Sequence, residues 1–262
     1  MFNHTSVLAR VQRELLADQV VFPTNMRLAL AVREALDRDD VRVEHVVKLI
    51  SVEPLMATRI VRMANCVAYN PGGQTVYSVE QAVQRVGFNA VRALALATCV
   101  AQIKSSPALA PFQRLANGLW EDSVQVAALS RLLARERRDA NPDEAMLCGL
   151  VSEIGSFYLM FLASAQESYT KNLAAVLDLL GKHQARVGAQ FLEALDMPAS
   201  VVNALRPTPP EVAEPVPALR EILREARRLH ALPQPVPLDE PCAPWLASTQ
   251  NASNELRLIL RA

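Results

Sequence analysis

Apolar residues along this chain fall mostly at steps of three and four, the spacing that gives a helix one buried face. The pattern is densest from Asn141 to Ala165, NPDEAMLCGLVSEIGSFYLMFLASA, the longest apolar run, with one carboxylate, Glu153, in its middle. Leu147, Leu150, Val151, Ile154, Phe157, Tyr158 and Phe161 mark a wide apolar face. Ala145, Gly149, Ser152, Ser156 and Ala163 keep the same rhythm on another side, where a second helix can approach closely. Asn141 followed by Pro142 reads as an N-cap with proline at the first helical position, and Asp143 and Glu144 put negative charge at the positive end of the helix dipole. One helix is therefore predicted through the whole run. It is long enough to cross a bilayer. Glu153, the serines at 152, 156 and 164, the absence of Lys or Arg clusters at its ends and the lack of a second span of similar quality favour a buried core helix instead.

The same periodicity lays out the rest. His4 to Ala17 is amphipathic through Val7, Leu8, Val11, Leu15 and Leu16 and ends before Pro23. Thr24 caps a second helix that reaches the charged turn Asp37 to Asp40, and a third runs from about Val43 to Val52. Pro54 opens a fourth, with Met56, Ile60, Met63 and Val67 as its inward stripe and Arg59, Arg62 and Asn65 on the other side. Asn70-Pro-Gly-Gly73 is the strongest break, and Ser78-x-x-Gln81 matches a capping box for a short helix ending near Gly87. From Asn89 to Ile103 the only charge is Arg92, so this segment must be surrounded by other helices. A second half begins near Pro107 and Pro111.

Past Arg206 the composition shifts. PTPPEVAEPVP and PQPVPLDEPCAPW favour extended linker backbone. Between them Leu219, Ile222, Leu223, Ala226 and Leu229 make an amphipathic helix that docks on its own domain or on a partner helix, docking in cis being the simpler outcome. The final NELRLILRA reads as a last short helix.

At 262 residues and 51% hydrophobic content the chain can bury a large core, and 5% aromatic residues suit helices better than sheets. Lys+Arg and Asp+Glu are both 27, which gives no global pull toward nucleic acid or an anionic membrane. Cys66, Cys99, Cys148 and Cys242 are widely separated and read as reduced thiols without metal-ligand spacing. MFNHTSVLARVQRELL has no basic stretch followed by an apolar one, so no secretory leader is expected and a cytoplasmic location follows.

Several ordered segments carry a resemblance. Leu49 to Asn65, LISVEPLMATRIVRMAN, resembles the HDOD signature in which Asp-Pro precedes a helix ending in Leu-x-x-Ala-Asn-Ser, with Glu53 in the place of the Asp and Cys66 of the Ser. Ser78 to Leu94 is similar to the same family's Ser-x-x-x-Ala-Ile-x-x-Leu-Gly segment, and Leu119-Trp-Glu-Asp-Ser123 to its Leu-Trp-x-x-Ser helix. Ala145 to Gly155 looks like the apolar-x-x-Gly-Leu-Leu-His-Asp-Ile-Gly segment of HD-superfamily metal phosphohydrolases and their HDOD relatives. Gly181 to Leu192 resembles the His-x-x-Val-Gly-x-x-Leu helix, followed by a Leu-Pro-like turn at Met197-Pro198. With Phe22-Pro23 the match spans roughly residues 22 to 206. It implies an all-α, HDOD-like multi-helix bundle in two packed helical subdomains, 18–106 and 107–206, with a Pro-rich extension over 207–262.

The departures from that pattern govern function. In the superfamily the His-Asp pair supplies metal ligands, and Ser152 and Glu153 stand in its place. Where many members show His-His, this chain has Arg206-Pro207. An HD-type centre needs about four ligands drawn from His and Asp. Of His4, His45, His183 and His230, only His183 falls on a motif position. No metal, cofactor or phosphohydrolase activity is therefore expected, and no other catalytic constellation is present. Glu153 must be paired, protonated or open to a cleft, with His183, Arg59 and Arg62 as candidate partners. It reads as a structural ion pair or as part of a vestigial pocket or partner surface with Arg59, Arg62, Asn65, Trp120 and His183. Taken alone, His183 reads as a hydrogen-bonded structural residue, and Arg59 and Arg62 as a solvated face that could meet a phosphate or an acidic partner. No aromatic residues interleave with those arginines, so a nucleic-acid surface is not expected. The resemblance implies a bacterial signal-transduction role: a non-catalytic module that recognises a protein partner. The competing reading is a nucleotide sensor or residual phosphohydrolase around Glu153, Trp120 and His183.

Overall fold

The computed structural model describes residues 4–16, 27–36, 41–195, 197–207, 217–231 and 243–260. The expected cap at Thr24, the turn Asp37 to Asp40, Cys242 and most of the proline-rich backbone lie outside these residues. The described residues are all-α. In chain order the helices are α1 (Thr5–Leu16), α2 (Arg27–Leu36), α3 (Val43–Ser51), α4 (Pro54–Asn65), α5 (Val79–Lys104), α6 (Gln113–Arg137), α7 (Pro142–Leu150), α8 (Ile154–Ser164), α9 (Glu167–Thr170), α10 (Leu173–Ala194), α11 (Ala199–Leu205), α12 (Ala218–His230) and α13 (Ala243–Leu260). A short 3₁₀ segment, Pro107–Phe112, leads into α6.

The local signals act as the pattern demands. The Asn141 side chain accepts from the backbone N–H of Asp143 and Glu144 at 2.8 and 3.2 Å, capping α7. The Ser78 hydroxyl accepts from Gln81 N–H at 3.1 Å. At Gly87 α5 bends, with φ at +78°, a backbone conformation open to glycine. Beyond the bend, Ala90, Val91 and the unbroken stretch Ala93 to Val100 are buried.

α2, α3 and α4 pack on α5, α6 on α7, and α8 on α10, while α1 lies across α8 and α10. The apolar side chains form one continuous core from Val7 in α1 to Leu260 in α13. The extension folds back on the rest: α12 rests on α6, α7 and α11, and α13 on α4, α5 and α6.

Four expectations need correction. The run Asn141 to Ala165 is not one helix, because a turn at Val151 to Glu153 separates α7 from α8. Periodicity could not reveal the break, since both helices are buried on nearly every side. The small residues explain it: a Cβ on Gly149 would lie 2.3 Å from the Ala127 Cα of α6, and one on Gly155 would lie 2.1 Å from the Gln184 carbonyl oxygen of α10. The turn lets each half press against its own neighbour. Second, Val67 lies past the end of α4 and is exposed, leaving Met56, Ile60 and Met63 as the inward stripe. Third, the C-terminal helix is not confined to the last residues but runs eighteen, Ala243 to Leu260. By length and composition, α5 also matches a membrane span as well as Pro142–Ser164 does, contrary to the expectation of no second span, and both are mostly buried inside the protein.

Candidate functional site

Ser152 and Glu153 sit in the turn between α7 and α8, with Glu153 immediately before the first residue of α8. That end of a helix carries positive partial charge. One carboxylate oxygen accepts from the Ser156 hydroxyl at 2.7 Å, and the other lies 3.3 Å from the Arg227 guanidinium of α12. The same Arg227 nitrogen donates to the Ser152 carbonyl oxygen at 3.2 Å. Burial pushes the Glu153 carboxyl above its ordinary value, and Asp122 on α6 adds to the rise, while Ser156 and Arg227 oppose it. Asp122 in turn faces His230 of α12 at 3.0 Å. The expected ion pair at Glu153 thus exists with Arg227, not with His183, Arg59 or Arg62.

Arg227, His230 and Asp122 were missed as site residues. The signal was present for two of them: 227 and 230 lie four and seven residues past Leu223, along the border of the apolar stripe of α12. For Asp122, nothing in the sequence set it apart from other surface carboxylates.

The other expected residues are not at this place. Arg59 is buried, not on a solvated face, and its guanidinium donates to the Leu260 carbonyl oxygen at 2.5 Å. Arg62 donates to the Leu258 carbonyl oxygen at 2.5 Å. Both arginines therefore serve the last turn of α13, whose carbonyls have no helical partner and carry the negative end of the dipole. Burial, and then the neighbouring Arg62 charge, hold Arg59 below its ordinary value. The Asn65 amide donates to Val76 O at 2.8 Å and accepts from Val76 N–H at 2.9 Å, closing the Asn70 to Gly73 loop.

Trp120 is nearly buried, with the Lys104 ammonium 5.9 Å from its ring centroid. Two residues apart on α6, Trp120 and Asp122 point about 200° from one another. His183 on α10 meets the ring of His4 edge-on at 5.8 Å, and burial and the nearby Arg186 lower its pKa. His4 bridges Tyr169 OH at 2.8 Å and Asp178 at 2.9 Å, fastening the start of α1. Arg59 and Trp120 thus line one cleft and Arg62 lies beside Arg59 at the end of α13, while Glu153 and His183 lie elsewhere, so the six candidate residues form no single pocket.

A metal centre does not fit the donor set at 152 and 153. Ser152 offers a hydroxyl where an imidazole is needed, and Glu153 already faces a guanidinium. Among the described residues no group of three or more His, Cys, Asp or Glu side chains is placed to hold a metal ion.

Known families and folds agree with this architecture. The HDOD domain model matches residues 22–208, most of the chain. The chain belongs to the HDOD family. Among solved structures, this HDOD chain is similar to a provisionally assigned metal-dependent phosphohydrolase from Shewanella amazonensis SB2B, at 18% identity and TM-score 0.74, with 99% of this chain and 100% of that one covered. It is also similar to an HDOD domain protein of unknown function from Geobacter sulfurreducens, at 17% identity and TM-score 0.62, covering 99% and 94%. A provisionally assigned signal transduction protein from Marinobacter aquaeolei VT8 matches at 19% identity and TM-score 0.55, covering 98% of this chain and 64% of that one. At these identities the likeness is one of fold. No curated protein sequence matches the chain.

Proposed function

We propose that this chain is a non-catalytic regulatory module of bacterial signal transduction that acts by protein–protein contact through its helical surfaces. The observation that carries the reading is the seat of Arg227 on Ser152 and Glu153. A guanidinium cannot lose its charge near neutral pH, so it stands as a fixed cation at the acid where an HD-type centre would need a metal. A divalent ion at Glu153 would have to displace the Arg227 side chain or accept strong repulsion. Membership of the HDOD family and the fold shared with a signal transduction protein support the regulatory part of the reading. The separation of Glu153, Trp120 and His183 disfavours a hydrolase or nucleotide sensor built from those three. In this reading 18–106 and 107–206 are packed halves of one scaffold, and α12 and α13 of the 207–262 extension are its cover.

The test has two arms, both on the full chain. Affinity capture from the native cell, followed by reconstitution with the purified candidate, is expected to give a protein complex that needs neither nucleotide nor metal. Assays against phosphomonoesters and phosphodiesters with added manganese, iron or nickel are expected to show no turnover. Hydrolysis that disappears in Glu153→Gln would overturn the non-catalytic reading.

A further inference from the structure

The face made by α4, α5 and α6 carries α13. These three helices lie inside the segment that matches the HDOD model, residues 22–208, and α13 lies outside it. Over residues 251–260 of α13 the buried side chains are Ser253, Leu256, Ile259 and Leu260, the spacing of one amphipathic face. Two kinds of contact hold that face down. Side chains make the first: the Ser253 hydroxyl donates to Gln125 Oε1 at 3.2 Å, Arg257 pairs with Glu121 at 2.6 Å, and Glu255 accepts from Val67 N–H at 3.3 Å. Arg59 and Arg62 make the second, donating to the main-chain carbonyls of Leu260 and Leu258. Every helix ends in carbonyls without a helical partner, so this pair of arginines reads a helix terminus whatever its sequence. Further back the fit is incomplete. Ala252, Leu256 and Ile259 cover a hollow of about 40 Å³ lined below by Met63, Leu132 and Met146, whereas about 10–15 Å³ is enough to hold a water. A side chain longer than alanine at position 252 would fill it.

We propose that α13 is the built-in occupant of a helix-docking groove on α4, α5 and α6, and that an amphipathic helix of a partner protein replaces it there. The partner helix is apolar at the positions of Ala252, Leu256, Ile259 and Leu260, carries a longer side chain than alanine at the first of these, and ends against Arg59 and Arg62. Apolar anchors at such spacing are the usual way a helix enters a groove. The inference rests on the protein-partner reading and names its surface. The tail then regulates access, because the partner helix must displace α13 before it can dock.

Fluorescence anisotropy on the full chain tests the proposal, with a labelled synthetic peptide of residues 243–262 that carries Ala252→Leu. The tethered α13 competes at an effective concentration of about millimolar, so the peptide should bind the parent chain weakly. It should bind about tenfold more tightly to the Leu256→Glu chain, whose own α13 is unseated by a buried charge. Binding to the Ala252→Leu chain should be about threefold weaker or more, because that α13 fills the hollow. A peptide that also carries Leu256→Glu should not bind. Melting curves confirm that each chain is folded. In the complex reconstituted with the captured partner, Leu256→Glu in the chain should tighten association and Ala252→Leu should weaken it by similar factors. Failure of the peptide to bind the Leu256→Glu chain at millimolar concentration would overturn the proposal, as would equal affinity for all three chains. Peptide binding that depends on α13, beside a partner complex indifferent to both substitutions, would sink this proposal alone, whereas absence of any protein complex would sink the partner reading with it. A parent dimer in light scattering that Leu256→Glu dissolves would give the groove to a second copy of the chain and also contradict the proposal.

Discussion

A carboxylate taken out of water must find a cation, a proton or a hydrogen-bond donor, and Glu153 draws on more than one of these. Arg227 is 41% exposed at its side chain, so the pair itself is worth about 1 kcal/mol at most. Arg227→Met should therefore cost about 1 kcal/mol in urea unfolding, with Glu153 rising further above its ordinary pKa. The pH dependence has a definite sign. Because the folded-state pKa of Glu153 is raised, the native chain still holds a proton that the unfolded chain has released, across the window between the two values. The contribution of Glu153 to stability falls as pH rises through that window and is constant above it. The stability of Glu153→Gln relative to the parent should thus improve as pH is raised from about 4 toward neutral. A flat or opposite trend would mean that the carboxylate is not disfavoured by its surroundings. The sequence made this residue stand out, because one acid in an apolar run is a physical anomaly. It could not name the partner, because Arg227 lies 74 residues further along the chain and its place on the border of the α12 stripe does not say which element that border meets.

Glycines in α7, α8 and α10 separate packing from propensity. A methyl group on Gly155 would run into the backbone at Gln184 and Gly188, whereas one on Gly181 would meet nothing within 4 Å. Gly155→Ala should destabilise by about 2–3 kcal/mol through overpacking. Gly181→Ala should stabilise by about 0.5–1 kcal/mol through the helix backbone alone. Thermal melts of the two variants should move in opposite directions.

Helix starts were legible where a local signal fixes them. Pro54, Ser78 and Asn141 each mark a start, and α4, α5 and α7 begin at or just after these positions. The break between α7 and α8 was not legible, because it is set by backbone contacts with α6 and α10 rather than by a helix-breaking residue. Nor was the full length of α13, whose STQNASN stretch reads as a polar loop until a protein surface is supplied for it. The end of that helix is anchored by two arginines in different surroundings. Arg59 is buried, so Arg59→Met should release the α13 carbonyls and raise amide hydrogen exchange across residues 251–260 by about tenfold or more. Arg62 is exposed at its contact, and Arg62→Met should raise exchange only about twofold. Equal effects of the two would show that burial does not decide the anchoring.

At the scale of the molecule, the all-α class, the HDOD fold and the packing of α12 in cis followed from periodicity together with ordered motifs. The grouping of candidate residues did not follow. Arg59, Trp120, Glu153 and His183 all lie on family-like segments, yet the first two meet the end of α13 and Lys104 on one side of the bundle while the others meet α12 and His4. Only the packed arrangement tells such directions apart. One core joins all of these helices, and α12 buries five apolar residues, Leu219, Ile222, Leu223, Ala226 and Leu229, as it packs on α6, α7 and α11, with Arg227 reaching Ser152 and Glu153. Each of the three leucines and the isoleucine contributes about 1.5–3 kcal/mol before the entropy of ordering. That makes α12 a lasting cover, and Arg227 a standing occupant of the place where an HD-type centre would hold its ion.

Elemental analysis tests this claim most directly. The full chain would be measured as purified without chelator and again after equilibration with manganese, iron and zinc, alongside Glu153→Gln. The account predicts no stoichiometric metal in either protein. One or more ions bound per parent chain and lost from Glu153→Gln would contradict it.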